Sequence, residues 1–237
     1  MSQLSICIPS KNRSRVEVEG RILNLLPKCI ASLRAAWREG DDWQIVVADF
    51  QSDDWPLNDW IDDAAAPIPV KVMAIEGPFS AGKGLNVAAT HATHENLLFL
   101  GADMLVDRAT MVAGLRHLRN SVIYVPMPMV AMDPEHKDLQ FGTLAVGTMF
   151  ITHTLFGRVG DFPEFRSHGL CDTVWVERGE ALNMLRRLEC QPGLIHQWHP
   201  YTEEFMNRHY PDWRSDNDKK LAAWKAGKFK ESLAWPM

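Results

Sequence analysis

The stretch NLLFLGAD, residues 96–103, is a short apolar run that ends on an acid. Two earlier stretches have a similar plan: LSICIPSKNR at 4–13 runs into a polar loop, and IVVADFQSDD at 45–54 ends on aspartates. Apolar runs of this length predict buried strands. Helical spacing of apolar residues at 22–38 and 85–93 lies between them, which predicts right-handed crossovers. The sequence therefore predicts an α/β fold with a mainly parallel central sheet flanked by helices.

Polar residues follow these predicted strands directly. The carboxyl ends of parallel strands meet at one edge of a sheet, where such folds bind ligands. We therefore expect one site to form from the loops after 4–10, 43–50 and 96–100. A further strand at 69–75 leads into the glycine segment GPFSAGKG at 77–84. The second half is less regular, with strands predicted at 121–130 and 143–151.

Composition limits the classes of protein that the chain can form. It has 237 residues, of which 46% are hydrophobic and 23% charged, so we expect one globular domain rather than a disordered chain. A net charge of −5 argues against a surface that is basic throughout. The sequence shows no apolar run of ~20 residues and no secretory signal, so no transmembrane segment is predicted. The four cysteines form no CxxC pair, which favours a cytoplasmic protein over a disulfide or structural zinc scaffold.

The glycine segment has two interpretations. GPFSAGKG follows a predicted strand and precedes a helix, and it nearly matches the phosphate-binding pattern GxxxxGK[ST]. A P-loop-like phosphotransferase or NTPase is therefore one hypothesis. Gly84 argues against it, because this position should carry the hydroxyl that binds magnesium.

The ordered set of strand ends resembles the nucleotide-sugar half of GT-A glycosyltransferases. The similarity is to the family-two-like group, with its polypeptide N-acetylgalactosaminyltransferase and chondroitin polymerase relatives. The residues that match its motifs are Pro9, Ser10, Asn12, Arg13, Asp49, Ser52, Asp53, Gly82, Lys83, Asn86, Phe99, Leu100, Ala102 and Asp103. The resemblance implies a single GT-A (Rossmann-like) domain over residues 1–237. Its nucleotide-sugar half is expected at 1–107, and its acceptor half with the C-terminal segment at 108–237.

Two departures from the family pattern bear on activity. Gly101 replaces the first aspartate of the DxD motif, and Ala48 replaces the first of the paired aspartates after the second strand. Both changes remove a carboxylate that would contact the donor or its metal. A catalytically inactive nucleotide-sugar or glycan-binding module therefore stays open as a third hypothesis.

The resemblance implies a metal-dependent transfer of a sugar from a nucleotide sugar, with a UDP-sugar as the expected donor and Mn²⁺ or Mg²⁺ as the cofactor. Asp103 is the expected metal ligand, with a helix N-cap as the alternative role. Asp49 is expected to accept the uracil N–H, unless it only forms a turn. The other matched residues are expected to line the donor site: Pro9, Ser10, Asn12, Arg13, Gly82, Lys83, Asn86 and Ala102.

The stretch HGLCDTVWVERGEAL, residues 168–182, resembles the acceptor-side segment of the same family. The resemblance places Asp172 at the aspartate of the family's Glu-Asp pair, and as a general base it would imply inversion at the anomeric carbon. Cys171 replaces the neighbouring glutamate, and helix capping is the alternative for Asp172. Trp175 and Trp198 are expected either to stack on sugar rings or to lie in the core.

The stretch IHQWH, residues 195–199, resembles the late metal-histidine segment of the family. Residues 193–199 are predicted to form a short strand or loop. If this stretch is extended, His196 and His199 point to opposite faces, so only one of them would face Asp103. His196 is predicted to be the principal metal ligand of the two, and His199 is expected to contribute less to metal binding.

The acceptor is not identified by the sequence. A glycan, a lipid-linked glycan, a protein and a modified nucleic acid all remain open. Residues 219–230 (KKLAAWKAGKFK) contain five lysines and no acid. This basic C-terminal segment predicts either a solvated helix or a peripheral contact with an anionic acceptor.

Overall fold

The computed structural model describes residues 3–119, 121–142, 147–165, 171–200, 218, 219 and 222. The strands are β1 (Gln3–Ser10), β2 (Val16–Val18), β3 (Arg21–Leu23), β4 (Asp42–Asp49), β5 (Val70–Ala74), β6 (Asn96–Phe99), β7 (Met104–Val106), β8 (Val122–Ala131), β9 (Leu139–Phe141), β10 (Met149–Thr152) and β11 (Leu185–His196). The α-helices are α1 (Leu25–Ala36), α2 (Ile61–Ala65), α3 (Ala81–Thr90), α4 (Arg108–His117), α5 (His153–Val159) and α6 (Cys171–Ala181).

Within these ranges one nine-stranded sheet has the order β5-β4-β1-β6-β10-β8-β11-β7, and β9 pairs with β8. The four strands from β5 to β6 are parallel. Strand β10 is antiparallel to both of its neighbours, β11 is parallel to β8, and β7 is antiparallel to β11. The predicted α/β class with helix-flanked sheet is confirmed, and the parallel pattern holds for its first half.

The first half of the sheet is apolar on both faces. Ile6 of β1 packs with α1 on one face, whereas Cys7 packs with α3 on the other. Side chains of a strand alternate between faces, so burial on both sides requires the continuous apolar runs seen in the sequence. The parallel register places Ser10 opposite Asp49, and Cys7 opposite Phe99. The polar residues that follow these strands therefore lie along one edge.

Helix α1 begins later than the apolar spacing at 22–38 predicts. Ile22 and Leu23 instead belong to the β2–β3 hairpin. Pro27 explains the difference, because it has no N–H to donate to the carbonyl of Leu23. A helix that starts at Leu25 places this proline in the first turn, where the N–H needs no intrahelical acceptor.

The structure also differs from the sequence interpretation around residues 185–196. Only 193–199 was expected to form a short strand or loop, whereas β11 runs for 12 residues beside β8. The end of the predicted strand at 143–151 forms β10, which starts at Met149, whereas residues 143–146 lie outside the described residues. Most of the basic C-terminal segment at 219–230 also lies outside them. Among the helices that are described, none is long and apolar enough to cross a membrane.

Candidate metal and nucleotide-sugar site

Asp103 and two histidines converge at the edge of the sheet. Asp103 follows β6 and immediately precedes β7, while His196 ends β11, which pairs antiparallel with β7. Oδ2 of Asp103 lies 3.7 Å from Nε2 of His196 and 3.2 Å from Nε2 of His199. One ligand atom from each of the three residues lies within 4.8 Å of the others. We call these three residues the Asp-His-His cluster.

Both histidines face Asp103, contrary to the expectation that only one would do so. The alternation of an extended strand does not apply, because β11 ends at His196. The backbone N–H of Gln197 then donates to the carbonyl of Asp103 at 2.9 Å, and its side chain donates to the carbonyl of Leu25. His199 is both closer to Asp103 and more buried than His196, with side-chain exposures of 6% and 28%. Gln197 was not expected to have a positioning role, although it lies between the two histidines in the motif.

The electrostatics of the cluster favour the protonation states that bind metals. Burial alone would raise the pKa of Asp103, but its contact with His199 and the charges of His196, His199 and Arg13 hold that pKa well below its usual value. Burial is also the largest effect on His196, and it lowers the pKa of this imidazole. A carboxylate and a neutral imidazole are the forms that coordinate a cation.

The cluster fits a divalent metal ion by its donor chemistry. Nε2 of His199 is buried and has no hydrogen bond of normal geometry among the described residues, despite its short distance to Asp103. A buried ring nitrogen beside a carboxylate is suited to share a cation with it. One carboxylate oxygen and two imidazole nitrogens are suitable ligands for Mn²⁺ and later transition metals.

Arg13 is a buried cation on the same side of the sheet. Only 7% of this residue is exposed, and its charge lowers the pKa values of both Asp103 and His196. Its carbonyl accepts from the N–H of Leu26 at 2.8 Å, which connects the loop after β1 to the start of α1. The guanidinium therefore supplies positive charge near the cluster.

Asn12 connects the loops that follow β1 and β4. Its Nδ2 donates to Oδ1 of Asp53 at 2.8 Å, and the N–H of Asp53 donates back to Oδ1 of Asn12 at 3.0 Å. The N–H of Asn12 also donates to Oγ of Ser52. Asn12 has a positive φ of 50°, a left-handed conformation that asparagine tolerates. Its amide holds two loops together, which differs from the nucleotide contact that the resemblance implies.

Asp49 forms the turn that was its alternative role. Its Oδ1 accepts from Oγ of Ser52 at 2.5 Å, and its Oδ2 accepts from the N–H of Ser52 at 3.1 Å. Asp49 is also opposite Ser10 in register, at the edge expected to bind the nucleotide. Oγ of Ser10 is buried and has no hydrogen-bond partner among the described residues.

The glycine segment is a packed helix start rather than a phosphate-binding loop. Ser80 caps α3 by accepting from the N–H of Lys83 at 3.2 Å. A Cβ atom on Gly82 would lie 2.1 Å from the carbonyl oxygen of Pro163, and one on Gly84 would lie 2.7 Å from Cβ of Pro9. Both glycines thus allow close packing, and the P-loop interpretation loses its structural basis. Nζ of Lys83 donates to the carbonyl of Glu76 at 3.3 Å.

Asn86 has a structural role instead of the donor contact that the resemblance implies. Its Nδ2 donates to the carbonyl of Phe162 at 3.0 Å, and the N–H of Phe162 donates to its Oδ1 at 2.8 Å. The residue is 8% exposed, so this reciprocal pair is shielded from water. Ala102, which directly precedes Asp103, is also buried and packs in the core.

Asn86→Ala is expected to lower the free energy of unfolding by about 1–3 kcal/mol, because it leaves two buried backbone groups of Phe162 without partners. Urea unfolding measures the change. Asn58→Ala is the matched control, since Asn58 is exposed and should change stability by less than about 0.5 kcal/mol. A stability of Asn86→Ala equal to that of the control would contradict the structural role.

Trp175 is a core residue, so the expectation that it stacks on a sugar is wrong. The residue is fully buried, and its ring packs against Phe156 and Phe162 with centroid distances of 5.8 and 4.9 Å. Its Nε1 donates to the carbonyl of Gly160 at 2.6 Å. Trp198 packs against apolar residues of the β2–β3 hairpin and of the start of α1, and its side chain is partly exposed.

Asp172 lies in the first turn of α6. Its Oδ1 accepts from the N–H of Thr173 at 2.7 Å. Burial raises the pKa of this carboxyl, and the hydrogen bonds from Thr173 oppose the rise. The neighbouring Cys171 packs in a small cluster against Ala81 at the start of α3. The first turn of α6 therefore lies beside the loop that follows β5, at the same edge of the sheet.

The strand order and the helices that flank the sheet agree with the GT-A fold that the sequence resemblance implies. Residues 5–161 match the family model described as glycosyl transferase family 2. Because this match covers more than half of the chain, the protein belongs to glycosyl transferase family 2.

Solved structures show the same fold at low sequence identity. The S. aureus TarS 1-349 structure in complex with UDP is 18% identical with a TM-score of 0.61, and the match covers 84% of this chain and 61% of that one. The complex of the same TarS fragment with UDP-GlcNAc gives 18% and 0.64, and the match covers 93% and 66% of the two chains. The mannosyltransferase PcManGT from Pyrobaculum calidifontis, in complex with GDP-Man and Mn²⁺, is 15% identical with a TM-score of 0.61. That match covers 95% of this chain and 64% of the mannosyltransferase. No curated protein matches the sequence.

Proposed function

We propose that this protein transfers a sugar from a nucleotide sugar to an acceptor hydroxyl in a metal-dependent reaction, and that the donor is a UDP-sugar. The observation that carries the proposal is the convergence of Asp103, His196 and His199 at the edge of the sheet. Family membership supports the reaction class, and the charged and polar groups at this edge of the sheet support a nucleotide diphosphate as the ligand.

The donor site is proposed from residues at the ends of β1, β4 and β6. Asp49 is an acceptor for the uracil N–H, and the buried hydroxyl of Ser10 lies opposite it in register. Arg13 supplies positive charge for the diphosphate, because a guanidinium donates to phosphate oxygens in a fixed geometry. Asp103, His196 and His199 would hold Mn²⁺ or Mg²⁺, and the ion would supply Lewis-acid stabilisation of the negative charge on the departing diphosphate.

Asp172 is proposed as the general base that deprotonates the acceptor hydroxyl. Its raised pKa makes it a better proton acceptor than an exposed aspartate, provided that it stays ionised at the working pH. Attack by an activated hydroxyl in one step inverts the configuration at the anomeric carbon. Inversion therefore follows from the same assignment.

The similar structures support a nucleotide sugar and a divalent metal as ligands. TarS has been seen with UDP and with UDP-GlcNAc, and PcManGT with GDP-Man and Mn²⁺. We choose uridine because Asp49 presents a carboxylate acceptor at the proposed base position. The acceptor substrate is not assigned, and the basic C-terminal segment stays a prediction for an anionic one.

UDP is expected to raise the melting temperature of the protein, and Mn²⁺ is expected to increase the rise. Ligand at 100 times its Kd stabilises a protein by about 2.7 kcal/mol, which is several degrees for a chain of this size. Thermal-shift titration with UDP, GDP and ATP, each with and without Mn²⁺, measures the effect. Stabilisation by GDP alone would mean that the donor is a GDP-sugar, and it would leave the assignment as a glycosyltransferase intact. Stabilisation by ATP alone would contradict the proposal.

A binding module without catalysis is the second candidate, and Gly101 and Ala48 are the observations that favour it. Both positions lack a carboxylate that the resembled family carries. Release of UDP from a bound UDP-sugar distinguishes the two candidates, because slow donor hydrolysis requires a working transfer site. Tight donor binding with no UDP release would favour the binding module.

A further inference from the structure

The first half of β11 lies at an edge of the central sheet. One side of this strand pairs with β8 from Leu185 to Cys190, whereas β7 pairs with its other side only from Leu194 onward. Among the described residues, no strand pairs with that second side between Leu185 and Gln191. Leu185 and Leu188 are 62% and 39% exposed. An unpaired edge of this kind presents backbone N–H and C=O groups to another strand.

The pairing with β8 shows which backbone groups point outward. The N–H of Leu185 donates to the carbonyl of Ser121 at 2.9 Å, at the start of β8. Successive residues of a strand direct their N–H and C=O groups to alternate sides, so every second residue after Leu185 also faces β8. The residues between them direct these groups toward the outer side: Arg186, Leu188 and Cys190.

Met184 and Pro192 bound the stretch that can pair. Pro192 has no N–H, so it cannot continue a ladder of hydrogen bonds. Met184 is buried, and its N–H donates to the carbonyl of Gly179 in the turn after α6. We call the stretch between them, residues 185–191, the open edge of β11. Its middle residue is Leu188.

Antiparallel pairing of two copies about a two-fold axis at Leu188 matches the outward groups of both chains. Leu188 then lies opposite Leu188 of the second copy, and Arg186 lies opposite Cys190 of the second copy. All three residues direct their N–H and C=O groups outward, so each opposite pair can exchange two hydrogen bonds. The contact uses the same surface of both chains, as in most dimers of identical subunits.

The charges along the open edge are self-complementary in this register. Arg187 of one copy lies opposite Glu189 of the other, and cross-strand pairs of opposite charge stabilise an antiparallel sheet. An axis at Arg186 or Arg187 would place two arginines opposite each other, and an axis at Glu189 would place two glutamates opposite each other. Like charges at such positions are destabilising. The charge pattern therefore favours the axis at Leu188.

Glu189 is ionised and accessible on this face. Its Oε2 accepts from Oη of Tyr124 at 3.0 Å and lies 3.2 Å from Nε2 of His117. The hydrogen bond from Tyr124 is the largest effect that holds the pKa of Glu189 below its usual value, and the charges of His117 and Arg187 lower it further. The side chain is 42% exposed, so a cation of a second copy can reach the carboxylate.

From these observations we infer that two copies of this chain associate through the open edge of β11, as an antiparallel pair with a two-fold axis at Leu188. The open edge occupies the first half of the strand, whereas His196 ends it, so the Asp-His-His cluster is not part of this contact. The inference does not depend on the proposed function. A contact of one short strand on each side is small, so we expect a weak dimer with a Kd on the order of tens of micromolar.

Sedimentation velocity of the full chain, from about 2 to about 200 µM, measures the association. Arg187→Glu places glutamates opposite each other and should raise the dimer Kd by at least about tenfold. Leu188→Pro removes an outward N–H but no donor to β8, and it should also raise the Kd by at least about tenfold. Arg34→Glu is the matched control, because Arg34 is an exposed arginine of α1 and the variant has the same change of charge. It should keep the wild-type Kd.

A protein that stays monomeric over the whole range would overturn the inference. Arg186, Arg187 and Pro192 would then act as the charges and the proline that protect a sheet edge from pairing. A dimer that Arg187→Glu and Leu188→Pro weaken no more than Arg34→Glu does would also overturn it, because the copies would then associate through another surface.

Disulfide trapping tests the register. In a Cys190→Ala background, Leu188→Cys should form a disulfide-linked dimer under mild oxidation, because opposite Cα atoms of a hydrogen-bonded pair are about 5.5 Å apart, within the range of a disulfide. Leu185→Cys in the same background is the control. The two copies of residue 185 would lie about 20 Å apart, so this variant should not form the dimer. Equal trapping of both variants, or trapping of Leu185→Cys alone, would overturn the axis at Leu188.

Discussion

Asp103→Asn is expected to lower the rate of UDP release from a UDP-sugar by about 10³-fold in the presence of Mn²⁺. The amide has the shape of the carboxylate but not its charge, and stabilisation of a departing diphosphate depends on the ion that this charge holds. Water serves as the acceptor in this measurement, so the natural acceptor is not needed. Kinetics at saturating and limiting Mn²⁺ separate lost metal affinity from lost catalysis.

Asp62→Asn is the control for this variant, because Asp62 is an exposed aspartate in the first turn of α2. It should keep the wild-type rate. The melting temperature of Asp103→Asn should also be measured, since its carboxylate balances the charge of the buried Arg13. A folded Asp103→Asn protein with a near-normal rate at limiting Mn²⁺ would remove Asp103 from the metal site.

Asp172→Asn is expected to reduce UDP release by about 10²–10⁴-fold and to leave the Kd for UDP within a few-fold. An amide cannot accept the proton of the attacking hydroxyl, whereas it preserves the shape of the side chain. The wild-type rate should fall at acidic pH as Asp172 becomes protonated. Because burial raises the pKa of this group, the fall should occur at a higher pH than for an exposed aspartate.

Isothermal titration with UDP and a pH–rate profile distinguish this role from a structural one. If Asp172 only accepts the hydrogen bond from the N–H of Thr173 in the first turn of α6, the asparagine variant should keep both the rate and the wild-type pH profile, since its amide oxygen can accept the same bond. That result would remove Asp172 from the mechanism while leaving the donor site unaffected.

The strands that carry the site could be predicted from sequence because they are buried on both faces. Residues of β1 and β4 face apolar layers on either side, which forces continuous apolar runs that end abruptly at polar loops. The strand β11 has no such signal. Arg186, Arg187 and Glu189 lie within it, and its extended conformation comes from pairing with β8 along a partly exposed face.

The position of His199 could not be predicted from the sequence around it. The alternation of side chains between the two faces of a strand follows from the local backbone conformation. The residue at which β11 ends depends instead on tertiary hydrogen bonds. One is made by the N–H of Gln197 with Asp103, a residue far away in sequence. No local pattern within 195–199 contains this information.

The resemblance to a family had a similar limit for individual side chains. It placed Asn86 in a motif position, but the partner of this side chain is Phe162, which lies 76 residues away in the sequence. Motif matching identifies a residue type at a position, and it does not identify what that residue contacts. The resemblance implied a metal site of Asp103 with one histidine from the stretch 195–199, whereas the approach of both His196 and His199 to Asp103 was not expected.

A crystal structure of the protein with UDP and Mn²⁺ tests the central claim most directly. We expect anomalous density for one Mn²⁺ within bonding distance of Asp103, His196 and His199, with the diphosphate of UDP completing its coordination and the uracil beside Asp49. Manganese bound elsewhere, or UDP bound away from the edge formed by β1, β4 and β6, would contradict the account.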